Sequence, residues 1–141
     1  MAPKQSKAKS KAPKRDVRRF GTEAEAAYGF AQAVRVGKTI YISGQTASPV
    51  DGAEGEPGDM HNQMRTSYAR IGRLLAMYGA TMANVVDETL FVTDMPAAIP
   101  AAVAIRREVY GGDFDVASTL IGVQRLGGPD LLVEIKCTAR L

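Results

Sequence analysis

Hydrophobic and polar positions read as strand-like from Ala31 to Val36 and again from Thr39 to Ser43. Gly37-Lys38 joins the two runs as a two-residue connection, with glycine where a positive φ is needed, so the stretch is expected to be a hairpin. Residues 47–58 break the pattern with Pro49, Gly52, Gly55, Pro57 and Gly58 among three acids, the composition of a surface loop. The period then changes. Met60, Met64, Tyr68, Ile71, Leu75 and Tyr78 recur every three or four residues, predicting a helix with one apolar face, capped by Asp59 and stopped by Gly79. Arg65, Arg70 and Arg73 are expected on its other side, with Met60 and Met64 as core filler. Val85 to Thr93 is rich in residues that fit a pleated surface. Pro96 opens a second helix that runs from Ala97 to Tyr110 and ends at Gly111-Gly112, with Pro100 early enough to be tolerated. Two more strands, Ser118 to Arg125 and Leu131 to Ala139, flank a turn at Gly127-Gly128-Pro129-Asp130.

The predicted order is ββαβαββ: an α/β domain of the α+β type, one mixed sheet with two helices on one face. The last two strands are apolar on both faces, since Leu120 and Leu132 alternate with Ile121 and Val133. No third helix is predicted to cover the second face, so self-association is expected.

The chain has 141 residues, one domain by size. Its net charge of +3 is unevenly spread. Lys4, Lys7, Lys9, Lys11, Lys14, Arg15, Arg18 and Arg19 precede Phe20, opposed only by Asp16, and the remainder is slightly acidic. Residues 1–20 are therefore expected to be a disordered basic tail, and 21–141 the folded domain. The tail serves as a solubilising segment or as an arm for nucleic acid; the absence of interleaved aromatics favours the first. No apolar run is long enough for a membrane span, and no hydrophobic stretch follows the basic start as in a secretory signal. Cys137 is the single cysteine, which excludes an intrachain disulfide and suits a cytoplasmic setting. With one cysteine and one histidine, His61, a zinc site built on those residues is not expected, nor is any other metal.

Several motifs in the right order carry a resemblance. Ser43-Gly44-Gln45 closes the hairpin, Tyr78-Gly79-Ala80 follows the first helix, and Val85 to Asp94 forms the next strand. Val116-Ala117-Ser118-Thr119-Leu120-Ile121-Gly122-Val123-Gln124-Arg125-Leu126 is followed, after a short gap, by Val133-Glu134-Ile135. Over about residues 28 to 141 the chain resembles the Rid (YjgF, reactive intermediate deaminase) family. The resemblance implies a chorismate-mutase-like fold assembled as a homotrimer. Clefts between its subunits would accept enamines and imines as small-molecule substrates and hydrolyse them to ketoacids and ammonia, without cofactor or metal.

The sequence departs from the family's pattern where substrate is held. Ser118 stands at the arginine's position, Phe30 at the tyrosine's (with Tyr28 nearby), Val103 at the asparagine's and Leu120 at the cysteine's. Serine offers one neutral hydroxyl where arginine would grip a carboxylate bidentately. The expected pocket is less basic and more apolar, and its substrate lacks the usual α-carboxylate or binds it differently. Ser43, Gly44, Gln45 and Glu134 remain. Glu134 is the candidate catalytic acid/base, positioned to activate water or move a proton between enamine and imine; its other reading is a solvated strand glutamate paired with Lys136. Ser43, Gly44 and Gln45 are candidate substrate-binding residues through backbone N–H groups, or serve turn geometry alone. Phe30, Val103, Ser118 and Leu120 complete the candidate binding set. Arg125 is seven residues from Ser118 and falls on the opposite strand face. Cys137 reads as a small buried hydrophobe. The leading expectation is a divergent imine or enamine deaminase. The alternatives are a non-catalytic, ligand-binding or chaperone-like trimer and an RNA-binding or ribonuclease-type relative.

Overall fold

The computed structural model describes residues 10–48, 58–112 and 115–141; the predicted loop at 47–58 therefore lies almost wholly outside the described residues. The elements run β1 (Asp16–Arg18), α1 (Glu23–Tyr28), β2 (Ala33–Val36), β3 (Thr39–Gln45), α2 (Met60–Ala76), a 3-10 turn at Met82–Asn84, β4 (Val85–Val92), α3 (Met95–Tyr110), β5 (Ala117–Gly122) and β6 (Val133–Arg140). One mixed six-stranded sheet has the order β1-β2-β3-β6-β4-β5, with β4 and β5 parallel and the other pairs antiparallel. The predicted hairpin, helices and C-terminal strands are all present. Gly37 turns the hairpin at φ 59°, Asp59 accepts from the Asn62 amide at 2.9 Å to cap α2, and Asp94 caps α3 through the Ala97 amide.

Two elements were not predicted. The segment expected to be disordered through residue 20 contains β1, which pairs with β2 in the register Val17↔Val34. It is held by side chains outside the local sequence: the Tyr78 hydroxyl donates to the Asp16 carbonyl at 2.9 Å, and Arg18 and Arg35 both lie over the Tyr78 ring. Residues 1–9 lie outside the described residues. The second is α1, a third helix. Its Glu25 is buried and gathers the amides of Phe20 and Gly21 at 2.8 and 3.0 Å. Short, alanine-rich and without a long apolar period, it gives little signal to periodicity.

Strand alternation places Ile40, Ile42, Leu90, Val92, Val133, Ile135 and Cys137 on the face beneath α2 and α3, all at or near zero exposure. Met60, Met64, Ile71, Leu74 and Leu75 meet them from α2. Arg70 is a correction: it is buried, not on the solvent side of α2, and its Nη1 donates to the Thr46 carbonyl. The opposite sheet face carries Tyr41, Thr89, Phe91, Ile121, Glu134 and Lys136, as their cross-strand pairing shows. Tyr41 remains 51% and Ile121 39% exposed there. β5 ends at Gly122, so Arg125 lies in the following loop and is exposed.

Candidate active site

The site is built where β3 leaves its regular register. Pairing with β6 shifts between Ile42 and Gln45, and Ser43 and Gly44 occupy the irregularity. Ser43 is fixed twice to the segment that leads into β2: its amide donates to the Gln32 carbonyl at 2.8 Å and its hydroxyl to the Ala31 carbonyl at 2.6 Å. It therefore serves the backbone. Gln45 turns inward, donating to Gln32 Oε1 at 2.8 Å and to the Ser43 carbonyl at 3.0 Å. Gln32 in turn donates to Glu25 at 3.0 Å. This buried chain of amides ends on a carboxylate. Burial raises the Glu25 pKa, but the bonds from Gln32, Phe20 and Gly21 outweigh it and hold the group below its ordinary value.

Gly44 is where Glu134 fits. A Cβ on Gly44 would lie 1.9 Å from Glu134 Oε1 and 2.8 Å from its Cγ. Only hydrogen at position 44 leaves the carboxylate room to lie across the strand. Glu134 is half-buried, and desolvation holds its pKa above the ordinary carboxylate value. It faces a cavity of about 530 Å³ shared with Tyr28, Phe30, Gln32, Gln45 and Arg70. Tyr28 and Phe30 supply aromatic surface, while Arg70 brings a positive charge to the wall. A carboxylate with a raised pKa, beside an apolar wall and open to small molecules, can take a proton from water and return it.

The structure thus brings together Phe30, Gly44, Gln45 and Glu134 from the predicted set, with Tyr28 beside them. It does not bring Val103, Ser118 or Leu120 to this cavity within one chain. Val103 stands exposed on α3. Leu120 packs half-buried against the core. Ser118 lies on the helix-facing side of β5, where its hydroxyl donates to Glu88 at 2.7 Å. Arg70 and Gln32 were missed because each is polar within a sequence that marks it as surface. Glu88 was missed for the same reason, inside the Val-Val-Asp-Glu-Thr-Leu strand.

The fold and cavity define a small α+β domain with a half-buried carboxylate seated over a glycine at a bulged strand end. A family model described as endoribonuclease L-PSP matches residues 20–141, and the chain belongs to that family, the YjgF/Rid family. The RutC family protein YjgH of Escherichia coli is 31% identical over 116 residues, covering 82% of this chain and 86% of that protein. A mouse protein named 2-iminobutanoate/2-iminopropanoate deaminase is 36% identical over 75 residues, 52% of this chain and 56% of that one. The crystal structure of Rv2704 from Mycobacterium tuberculosis, described as a YjgF/YER057c/UK114 family member, superposes with a TM-score of 0.79 at 30% identity, covering 91% of this chain and 100% of that one. No helix among the described residues is long and apolar enough to cross a membrane.

Proposed function

We propose that the chain is a divergent Rid-type enzyme that hydrolyses an imine, or an enamine after its tautomerisation, with Glu134 as the acid/base group. The observation that carries this reading is the Glu134–Gly44 contact inside the cavity, together with the raised Glu134 pKa. Glu134 takes a proton from water as the oxygen adds to the imine carbon. Glu134 returns that proton to the nitrogen, giving a neutral aminol; it then takes the hydroxyl proton and passes it to the nitrogen as the C–N bond breaks, so that the carbonyl compound and ammonia leave. No electrons are exchanged, so the residues present suffice for the balance. The deaminase names of relatives support the reaction class. The working assembly is proposed to be a homotrimer, in keeping with the uncovered Tyr41 and Ile121; a monomer in sedimentation equilibrium at micromolar concentration would refute it. The chemistry is tested by ammonia release from imines generated in situ. Glu134→Gln keeps shape and hydrogen bonding but removes the proton acceptor, and turnover should fall by about a hundredfold or more. An unchanged rate removes Glu134 from the mechanism.

A further inference from the structure

Two polar clusters stand apart from this cavity. One is closed: Glu88 of β4, fully buried, accepts from the Tyr68, Tyr110 and Ser118 hydroxyls and is ion-paired with Arg106. The other is open. Lys14, Arg15, Arg18, Arg19, Arg35 and Arg73 gather around β1, the strand at one edge of the sheet. The acids on the same segment are Asp16, Glu23 and Glu25, and Glu25 is buried, its oxygens taken by Phe20, Gly21 and Gln32. Arg18 and Arg35 lie 5.2 and 5.8 Å from the centroid of the Tyr78 ring, and Arg73 lies 4.8 Å from that of Phe20. The fold thus adds what the basic segment lacks by itself, rings that fix its arginines. A guanidinium stacked on a ring keeps its N–H edge directed outward and loses less side-chain freedom when it binds. Arg18 and Arg35 share one carboxylate, Asp16, at 3.2 and 3.3 Å. That carboxylate balances one charge of the two, and the arginine side chains remain 42% and 37% exposed. Arg18 pairs with the buried Ala33, and Arg35 lies two residues beyond Ala33, so both are on the helix-facing side of the sheet. Packing of copies through the opposite face would leave the patch open. Lys14 and Arg15 are exposed and carry the positive charge along the edge, and four more lysines precede them in the sequence.

We propose that the β1 edge is a docking surface for duplex nucleic acid, held through its phosphates without reading of base sequence. Guanidinium forks match phosphate oxygens bidentately. Phe20 and Tyr78 are both partly buried and both carry arginines, so no aromatic platform stands open for unstacked bases. A duplex needs none, and it presents phosphates at a higher line density than a single strand. An acidic peptide would ordinarily add an apolar anchor, and with both rings covered the patch has none to offer it. Interfaces with nucleic acid are the ones dominated by positive charge. The proposal is independent of the imine chemistry, since neither Glu134 nor its cavity takes part.

The test uses the whole chain and a fluorescein-labelled DNA duplex of mixed sequence, read by anisotropy. Contact with about five phosphates predicts a log–log salt slope of about −4.5, a loss of several-hundredfold in affinity between about 50 and 200 mM salt. Arg35→Gln and Arg73→Gln should each weaken binding about fivefold at physiological salt and reduce the slope by about one. The double variant Lys14→Gln/Arg15→Gln, on the exposed segment ahead of β1, should cost about twentyfold and reduce the slope by about two; it keeps the test decisive if Arg35→Gln loosens β1. Arg125→Gln, in the loop after β5, should bind as wild type does. A second duplex sequence, and duplex RNA of the same length, should bind within a fewfold of the first. The proposal is overturned by absent or salt-insensitive binding, by tighter binding of a single strand than of the duplex, or by polyglutamate displacing the duplex as well as unlabelled DNA at equal charge. It is also overturned if Arg35→Gln and Arg73→Gln, both folded, bind as wild type while deletion of residues 1–9 abolishes binding, because the β1 surface would then take no part.

Discussion

Substitution of Gly44 by alanine is the sharpest probe of the Glu134 site, because its effect can be worked out from one contact. The new Cβ would sit 1.9 Å from Glu134 Oε1, where ordinary contact begins at 3.4 Å. The carboxylate must therefore retreat by about 1.5 Å, from the 1.9 and 3.4 Å limits. A displacement of about 1 Å in a reacting group commonly costs on the order of a hundredfold in rate, so kcat/KM for imine hydrolysis should fall by about that factor. Stability should barely move. Gly44 does not occupy the left-handed region, so alanine is not strained there and gains a few tenths of a kcal/mol, up to about 1, by restricting the unfolded chain. The clash extends to Glu134 Cγ at 2.8 Å, so the whole side chain must turn, and the cavity it lines is the space open to it. Steady-state ammonia release and a urea melt on the same preparation measure both quantities. The double variant Gly44→Ala/Glu134→Ala completes the cycle: if alanine acts only by displacing the carboxylate, it should cause no further loss once the carboxylate is gone. Wild-type kcat/KM in Gly44→Ala, or an equal loss in the Glu134→Ala background, would refute the assignment.

The raised Glu134 pKa has two consequences for pH. Its base form should appear, and the acid limb of kcat/KM should lie, above the ordinary value of 4.5. Below 4.5 the group is neutral in folded and unfolded chains alike, and as pH rises through the raised folded value the fold must carry a half-buried charge. Glu134→Gln should therefore melt above wild type at neutral pH, with the gap closing as pH falls toward 4.5. Glu88→Ala leaves the Arg106 guanidinium without its anion and orphans three hydroxyls, at a cost of about 3 kcal/mol in urea denaturation; a loss under 1 kcal/mol would mean that water replaces the carboxylate, which the 0% exposure of Glu88 argues against. Deleting residues 1–15 should leave the melting temperature unchanged. Deleting residues 1–19 removes β1 and the Tyr78–Asp16 bond and should lower it by several degrees, roughly 1 kcal/mol of stability; equal melting of the two truncations would show β1 to be dispensable.

Local signals determined a good part of this protein. The period-two runs of the hairpin, the three-and-four spacing from Met60 to Tyr78, and the Asp59 cap are contained within short windows, and each appears where it was read. The Rid-like order of motifs was also legible along the chain, and with it Glu134 and Ser43-Gly44-Gln45 as separate candidates; that Glu134 lies against Gly44 was not. What the sequence alone left open depends on partners far apart. β1 forms because Tyr78, 62 residues away, satisfies the Asp16 carbonyl. Arg70 and Gln32 look like surface residues until Thr46, Glu25 and Gln45 accept or donate their hydrogen bonds. Glu88 reads as a solvated strand position, since nothing in its neighbourhood announces Tyr68, Arg106, Tyr110 and Ser118 arriving from two helices and a parallel strand. Tertiary structure also separated Ser118 and Leu120 from the cavity that holds Phe30 and Glu134, because the sheet order puts β5 at the edge beyond β4 and β6. Apolar burial leaves a periodic trace in sequence because one face serves many residues. A buried polar group leaves none, because its stability depends on a few specific donors that only the folded chain brings together.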